Sequence, residues 1–303
     1  MPTAAGSRAF DLLGLGQISL DRLGVVDRLP AAGAKTALRE EHLLPGGQVA
    51  TAVLAATGLG ARCAFAGAVG DDEAGRLALA PLERAGVDIG RVRRLAGVPT
   101  RQAWVLVESA GGERTILERR DQALALPADA LTLRDVSAAG VLLLDLEHPA
   151  AARRAAAHAR TAGIPVVLDA DRATPEAVRL ASEVDFPIVS RAFAEEISSD
   201  ASLEDGLRRL AGPHTRMAVV TCGERGSLAL LGARILATPA PRVQARDTTG
   251  AGDVFRGVFA WALVRGLGAE RALAEANAHA AASCRGLGAQ GALPGAAPRL
   301  GSE

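Results

Sequence analysis

The sequence predicts an α/β fold with a mainly parallel central sheet, and three observations carry that prediction. Apolar runs of strand length alternate with Ala-, Leu- and Arg-rich stretches of helical length, the pattern of repeated βαβ units. The 303 residues, 49% of them hydrophobic, can bury a large core as one main domain. Glycine-rich segments fall at the exits of several apolar runs, where parallel sheets open onto their ligand sites.

Taken in order, Phe10 to Leu15 reads as the first strand, with Asp21 just beyond it. Gly46-Gly47-Gln48 opens a helix from Val49 to Thr57. Ala64 to Ala68 is the next strand and leads into Gly67-Ala68-Val69-Gly70-Asp71-Asp72. Between residues 98 and 120 the pattern changes. Thr100 to Val107, Gly111-Gly112 and Glu113 to Leu117 read as a two-stranded hairpin, which an extended piece from Thr36 to Leu43 could join. Strand-length runs return at Val141 to Leu146, Pro165 to Leu168, Phe186 to Val189 and Met217 to Thr221, separated by helix candidates. A glycine-rich turn, Thr221-Cys222-Gly223-Glu224-Arg225-Gly226, follows the last of these, and Glu270 to Cys284 is a late helix carrying Asn277 and His279. The tail after Pro294 is small and polar. With no internal repeat or low-complexity linker, residues 1–303 read as a single domain, with the strands of about 20–44 and 98–120 inserted in it.

Composition excludes several classes. Formal net charge is zero, and the 34 basic and 34 acidic residues are dispersed, so there is no electrostatic footprint for nucleic acid or an anionic membrane. No stretch approaches about 18 uninterrupted apolar residues and no basic patch precedes an apolar run, which makes a cytoplasmic protein the expectation. Cys63, Cys222 and Cys284 lack metal-ligand spacing and read as small buried apolar residues. Lys35 is the sole lysine and lies in neither a GxxxxGK(S/T) loop nor a VAIK strand, so P-loop and protein-kinase architectures fail. Gly14-Leu15-Gly16 begins a dinucleotide fingerprint, but Ser19 stands where its third glycine belongs.

The most informative segment is Asp247-Thr248-Thr249-Gly250-Ala251-Gly252-Asp253, which runs straight into the apolar stretch Val254 to Val264. Gly250, Ala251 and Gly252 would let backbone N–H groups at a helix start turn toward phosphate oxygens. Asp253 beside them could take a proton from an attacking hydroxyl. A capped helix start is the plainer alternative.

The order of these seven residues matches the DTxGAGD signature, and the chain resembles the ribokinase or PfkB family of carbohydrate and nucleoside kinases over nearly its whole length. The resemblance implies a ribokinase-like three-layer α/β/α fold, with a mainly parallel central sheet and a small β-strand lid that often pairs two subunits into a homodimer. It implies ATP-dependent phosphorylation of a sugar hydroxyl, with Asp253 as general base and Gly250, Ala251 and Gly252 as the anion hole. On the sugar side it points to Asp21, Gly46, Gly47 and Thr51, with Arg101 among the lid arginines that could face an anionic substrate. Thr221, Gly223, Gly226 and Asn277 are implied on the ATP side. Mg²⁺ is expected with the nucleotide, though the family's NxxE motif is degraded to Ser190-Arg191-Ala192-Phe193, with Glu195 and Glu196 just beyond. K⁺ would sit at Asp247 and Thr249, against backbone near 285–291. Thr51 in place of the usual Asn, the missing NxxE and the run Cys284 to Pro294 look most like ketohexokinase and sulfofructose-kinase relatives, which favours a ketose or ketose derivative. A nucleoside kinase, with Trp104 as the stacking residue, and a non-catalytic sugar-binding relative remain the alternatives.

Overall fold

The fold is that of a computed structural model, which describes residues 8–109 and 113–293. The expected glycine pair Gly111-Gly112 and the tail from Pro294 lie outside the described residues. At the centre is β1 (Phe10–Leu15), flanked by β4 (Cys63–Gly70) and β8 (Ala139–Leu144). Outward from β4 lies β5 (Asp88–Leu95); outward from β8 lie β9 (Val166–Ala170), β10 (Phe186–Ser190) and β11 (Ala218–Thr221). All of these pair in parallel. The antiparallel strands β12 (Ser227–Leu231) and β13 (Arg234–Thr238) complete the nine-stranded sheet.

Period-two alternation sends the sheet's apolar residues to both faces. Leu12, Val141 and Val167 join one core with α1 (Gln48–Gly58), α2 (Glu73–Arg84), α8 (Ala251–Val264) and α9 (Ala269–Ser283). Leu13, Leu142 and Leu168 join the other with α3 (Leu133–Ser137), α4 (Pro149–Ala162), α5 (Pro175–Glu183), α6 (Arg191–Ile197) and α7 (Leu203–Leu210). The result is a three-layer α/β/α molecule. Among the described residues no helix is long and apolar enough to cross a membrane.

A second sheet of four strands runs in the order β3 (Glu40–Gly46), β2 (Ser19–Val26), β6 (Gln102–Glu108) and β7 (Arg114–Arg119). Its inner face carries Leu23, Val25, Ala103, Val105 and Val107, which close over Leu44 and Leu287. Its outer face carries Leu43, Arg22, Trp104 and Leu117 in register across all four strands. The Arg22 guanidinium lies 5.2 Å from the Trp104 ring centroid.

Two expectations change. Asp21 is not in a loop after β1 but inside β2, paired with Leu44 on one side and Ala103 on the other. Strand β2 escapes notice because Asp21, Arg22 and Gly24 interrupt its apolar pattern. Cys222 is only half-buried, although Cys63 and Cys284 are buried as expected.

Candidate active site

The chain winds from β1 toward β4 and β5 on one side and from β8 toward β11 on the other. Such a reversal opens a crevice beyond the carboxyl ends of the two central strands. The fully buried Asp145 sits in it: Oδ2 accepts the Gln17 N–H at 2.7 Å and Oδ1 accepts the Glu147 N–H at 2.8 Å. Burial pushes its carboxyl up to about 8. A side chain at Gly16 would overlap that carboxyl group.

Under the small sheet, Asp21 takes a hydrogen bond from the Ser19 hydroxyl at 2.7 Å, and burial pushes its carboxyl up to about 6. A Cβ at Gly46 would collide with Asp21 Oδ2. Gly47 caps α1 at φ +100° and packs against the Ile18 backbone, so the turn from small sheet to helix requires glycine on two counts. Thr51 is fully buried, with the Gln290 amide 3.4 Å from its hydroxyl. Arg101 is buried too, but it is bound on both sides: to Glu147 at 2.8 Å and to Glu118 at 3.0 Å. Arg120 holds the other Glu147 oxygen at 2.9 Å. The acidic exit of β8 and the lid arginines therefore neutralise each other. His148 sits beside them, its Nδ1 facing the Leu126 N–H, and burial pulls it down to about 4.

In the loop before α8, the buried Asp247 accepts the Thr249 N–H at 2.8 Å and the Gly288 N–H at 2.7 Å, which ties the signature loop to the 285–291 loop. The Thr249 hydroxyl is buried with no hydrogen-bond partner. Gly250 caps α8 in the left-handed region at φ +77°, and a Cβ there would come within 2.6 Å of Ala289 Cα. Ala251, Gly252 and Asp253 form the first turn of α8, where backbone N–H groups have no intrahelical partner and the helix dipole is positive. Asp253 keeps an edge toward solvent. Burial raises its carboxyl well above the usual range, Asp169 adds to the rise, and Arg256 and Arg114 oppose it. The small sheet reaches this loop through Arg114, which donates to the Thr248 hydroxyl at 2.9 Å, and through Glu40, which pairs with Arg246 at 2.8 Å.

Around the turn after β11, Gly223 at φ +59° has open space above it. Gly226 at φ +87° is pressed against the Thr238 carbonyl, and the Thr221 hydroxyl faces the Val189 carbonyl at 3.3 Å. Asn277 is buried, and its amide donates to Ser227 at 2.9 Å and to the Thr238 carbonyl at 3.1 Å. Both amide hydrogens thus pin α9 to β12 and β13. Sequence reasoning did not single out Asp145, Asp169, Arg246, Arg256 or Gln290. Their chemistry depends on partners distant in sequence.

The site thus brings together the N-terminus of α8, a carboxylate on its first turn and a polar crevice at the sheet's switch point, and the comparisons give its class. The pfkB family carbohydrate kinase model matches residues 10–296, and the chain belongs to that family. It is 30% identical to the ATP-dependent ribose-1-phosphate kinase of Halopiger xanaduensis, over 93% of this chain and 94% of that one. It is 26% identical to the ribokinase of Bacillus subtilis, over 92% and 94%. The structure of Arabidopsis thaliana ribokinase with ribose and ATP aligns at a TM-score of 0.80 and 26% identity, covering 94% of this chain and 96% of that one. The protein is thus a sugar or nucleoside kinase, a phosphotransferase with an alcohol group as acceptor.

Proposed function

We propose that the protein transfers the γ-phosphoryl group of ATP to a hydroxyl of an uncharged sugar, with ketoses and their derivatives as the favoured acceptors. The observation that carries the reading is Asp253 on the first turn of α8, directly after the left-handed Gly250 cap. The sugar hydroxyl attacks the γ-phosphorus in line, its proton passes to Asp253, and the bond to the β-phosphate oxygen breaks to release ADP. Backbone N–H groups around Gly250, Ala251 and Gly252 take the charge of the transferring oxygens. Asp21, with Gly46 and Gly47 at its back, orients the sugar, and Thr221, Gly223 and Gly226 line the nucleotide side.

Two features support a neutral sugar. Arg101 and Arg120 are already compensated by Glu118 and Glu147, so an anionic acceptor that recruited Arg101 would have to break the buried Arg101–Glu147 pair. Trp104 alternates with Ala103 and stands on the outer face, opposite to Asp21, which disfavours it as a platform for a nucleobase. The thread back to phosphorylated acceptors is the ribose-1-phosphate kinase relative.

Among the described residues no group of three His, Cys, Asp or Glu side chains forms a metal cage, and Glu195 is held by Arg191 at 2.6 Å. Mg²⁺ would therefore arrive on the nucleotide phosphates and neutralise their charge. The unpartnered Thr249 hydroxyl fits a monovalent cation, which Thr249 and Asp247 would hold with nearby carbonyls. The small sheet acts as a lid, latched by Arg114 and Arg246. Its exposed outer row of Leu43, Trp104 and Leu117 suits pairing with a second copy. In ADP-release assays, Asp253→Asn keeps nucleotide binding but loses turnover by a factor of about 10² or more; near-full activity would contradict the assignment.

A further inference from the structure

Arg256 lies within the apolar face of α8 and is 4% exposed. It follows Asp253 by three positions, so the two side chains are neighbours on one helix face. An ion pair between them would be the simplest outcome, yet the guanidinium turns elsewhere. Its Nε lies 2.8 Å from Asp169 Oδ1 at the end of β9 and 3.3 Å from the Ile188 carbonyl. Its Nη1 fills the space where a Cβ of residue 252 would stand. Gly252 has no positive φ, so what a side chain there would displace is the end of the Arg256 guanidinium rather than the backbone.

We propose that Asp169 and Arg256 are a positioning pair for the phosphoryl transfer: Asp169 draws the guanidinium off Asp253 and holds it under Gly252. Asp253 then keeps a counter-charge at close range without giving up its oxygens to an ion pair. A base locked in a direct pair with arginine would be a poor proton acceptor, whereas one left among buried carboxylates with no cation nearby would stay protonated. The inference rests on Asp253 being the base.

The charged groups facing Asp253 come from several elements: Arg256 on its own helix, Asp169 in β9, Asp171 in the loop beyond it, and Arg114 from β7. Asp169 in turn feels Arg256 and Asp171, lies close enough to influence Asp145, and has the Gln48 amide 3.5 Å away. Asp169 Oδ2 is buried with no hydrogen-bond partner, so the bond to Arg256 is the strong contact that carboxylate makes.

The test is the pH profile of kcat with Mg-ATP and the best acceptor, measured for the parent, Arg256→Gln, Arg256→Lys, Asp169→Asn and the double variant Asp169→Asn/Arg256→Gln. Removing the positive charge moves the acidic limb up by about one pH unit and lowers kcat at neutral pH about tenfold or more, with nucleotide KM changed less than about threefold. Arg256→Lys returns most of the limb. Asp169→Asn frees the guanidinium to pair with Asp253, so the limb moves down and kcat falls. The double variant lies nearer the parent limb than either single change. Limbs within about 0.2 unit of the parent in folded Arg256→Gln and Asp169→Asn would overturn the inference. If Arg256→Gln does not fold, an unmoved or raised limb in Asp169→Asn overturns it alone. Asp253→Asn is run alongside. If it is inactive while the limbs stay put, only this inference fails; if it is active, the base assignment fails and takes the inference with it.

Discussion

Glu147→Gln is the substitution whose cost the structure fixes best. Glu147 is buried beyond the end of β8 and receives Arg101 at 2.8 Å through one oxygen and Arg120 at 2.9 Å through the other. Gln keeps the shape but removes the charge, which leaves the buried Arg101, whose Nε already lacks a partner, with Glu118 as its remaining counter-ion. Breaking a buried pair costs about 3–5 kcal/mol. Two features reduce that figure. Glu118 still compensates Arg101, and Arg120, being about one-third exposed, relaxes into water. About 2–3 kcal/mol remains, which for a chain of this size lowers Tm by roughly 3–5 °C. Scanning calorimetry or a thermal melt by circular dichroism reads it directly. Adding Arg101→Met removes the stranded cation, so the double variant melts above Glu147→Gln alone. A Tm within about 1 °C of the parent would refute the reasoning, since it would mean that Arg101 is not held in a buried network.

Two further outcomes are expected. Burial raises the Asp21 carboxyl from the ordinary aspartate range to about 6, so the folded protein binds this proton more tightly than the unfolded chain. Stability from this group is therefore lost as pH rises from about 4 to 6. Asp21→Asn accordingly raises Tm at pH 7.5 and changes it little at pH 4, while sugar KM rises; an equal Tm change at both pH values would contradict this. On the outer face of the small sheet, Leu117→Glu adds charge to an exposed apolar row and shifts sedimentation from dimer to monomer with little change in Tm, whereas an unchanged assembly would count against pairing through that face.

The central strands and the signature loop were legible because their pattern is local: largely apolar runs for β1, β4 and β8, and seven consecutive residues for the loop that opens α8. Strand β5, Asp88–Leu95, was not, because it lies at the sheet edge and carries three arginines. Strand β2 was hidden differently: it is interior to the small sheet, but Asp21, Arg22 and Gly24 break its apolar pattern. The helix start at Gly250 with Asp253 on its first turn was readable from residue order, whereas Arg101, expected among the lid arginines that could face an anionic substrate, is held by Glu147 and Glu118. Asn277 was read as a nucleotide contact by resemblance, and its amide turns out to be spent on Ser227 and Thr238. Arg256 left a trace in the sequence, a charged residue inside the run Val254 to Val264, which demands a buried partner. Nothing local names that partner as Asp169, because the two meet only through the packing of α8 over β9.

The most direct test of the account is ADP release with Mg-ATP across ketoses, aldoses, sugar acids, sugar phosphates and nucleosides, with and without K⁺, for the parent and for Asp253→Asn. Turnover with an uncharged sugar is expected, and Asp253→Asn removes it while nucleotide binding persists. Turnover that survives Asp253→Asn, or no turnover on any acceptor despite intact ATP binding, would contradict it.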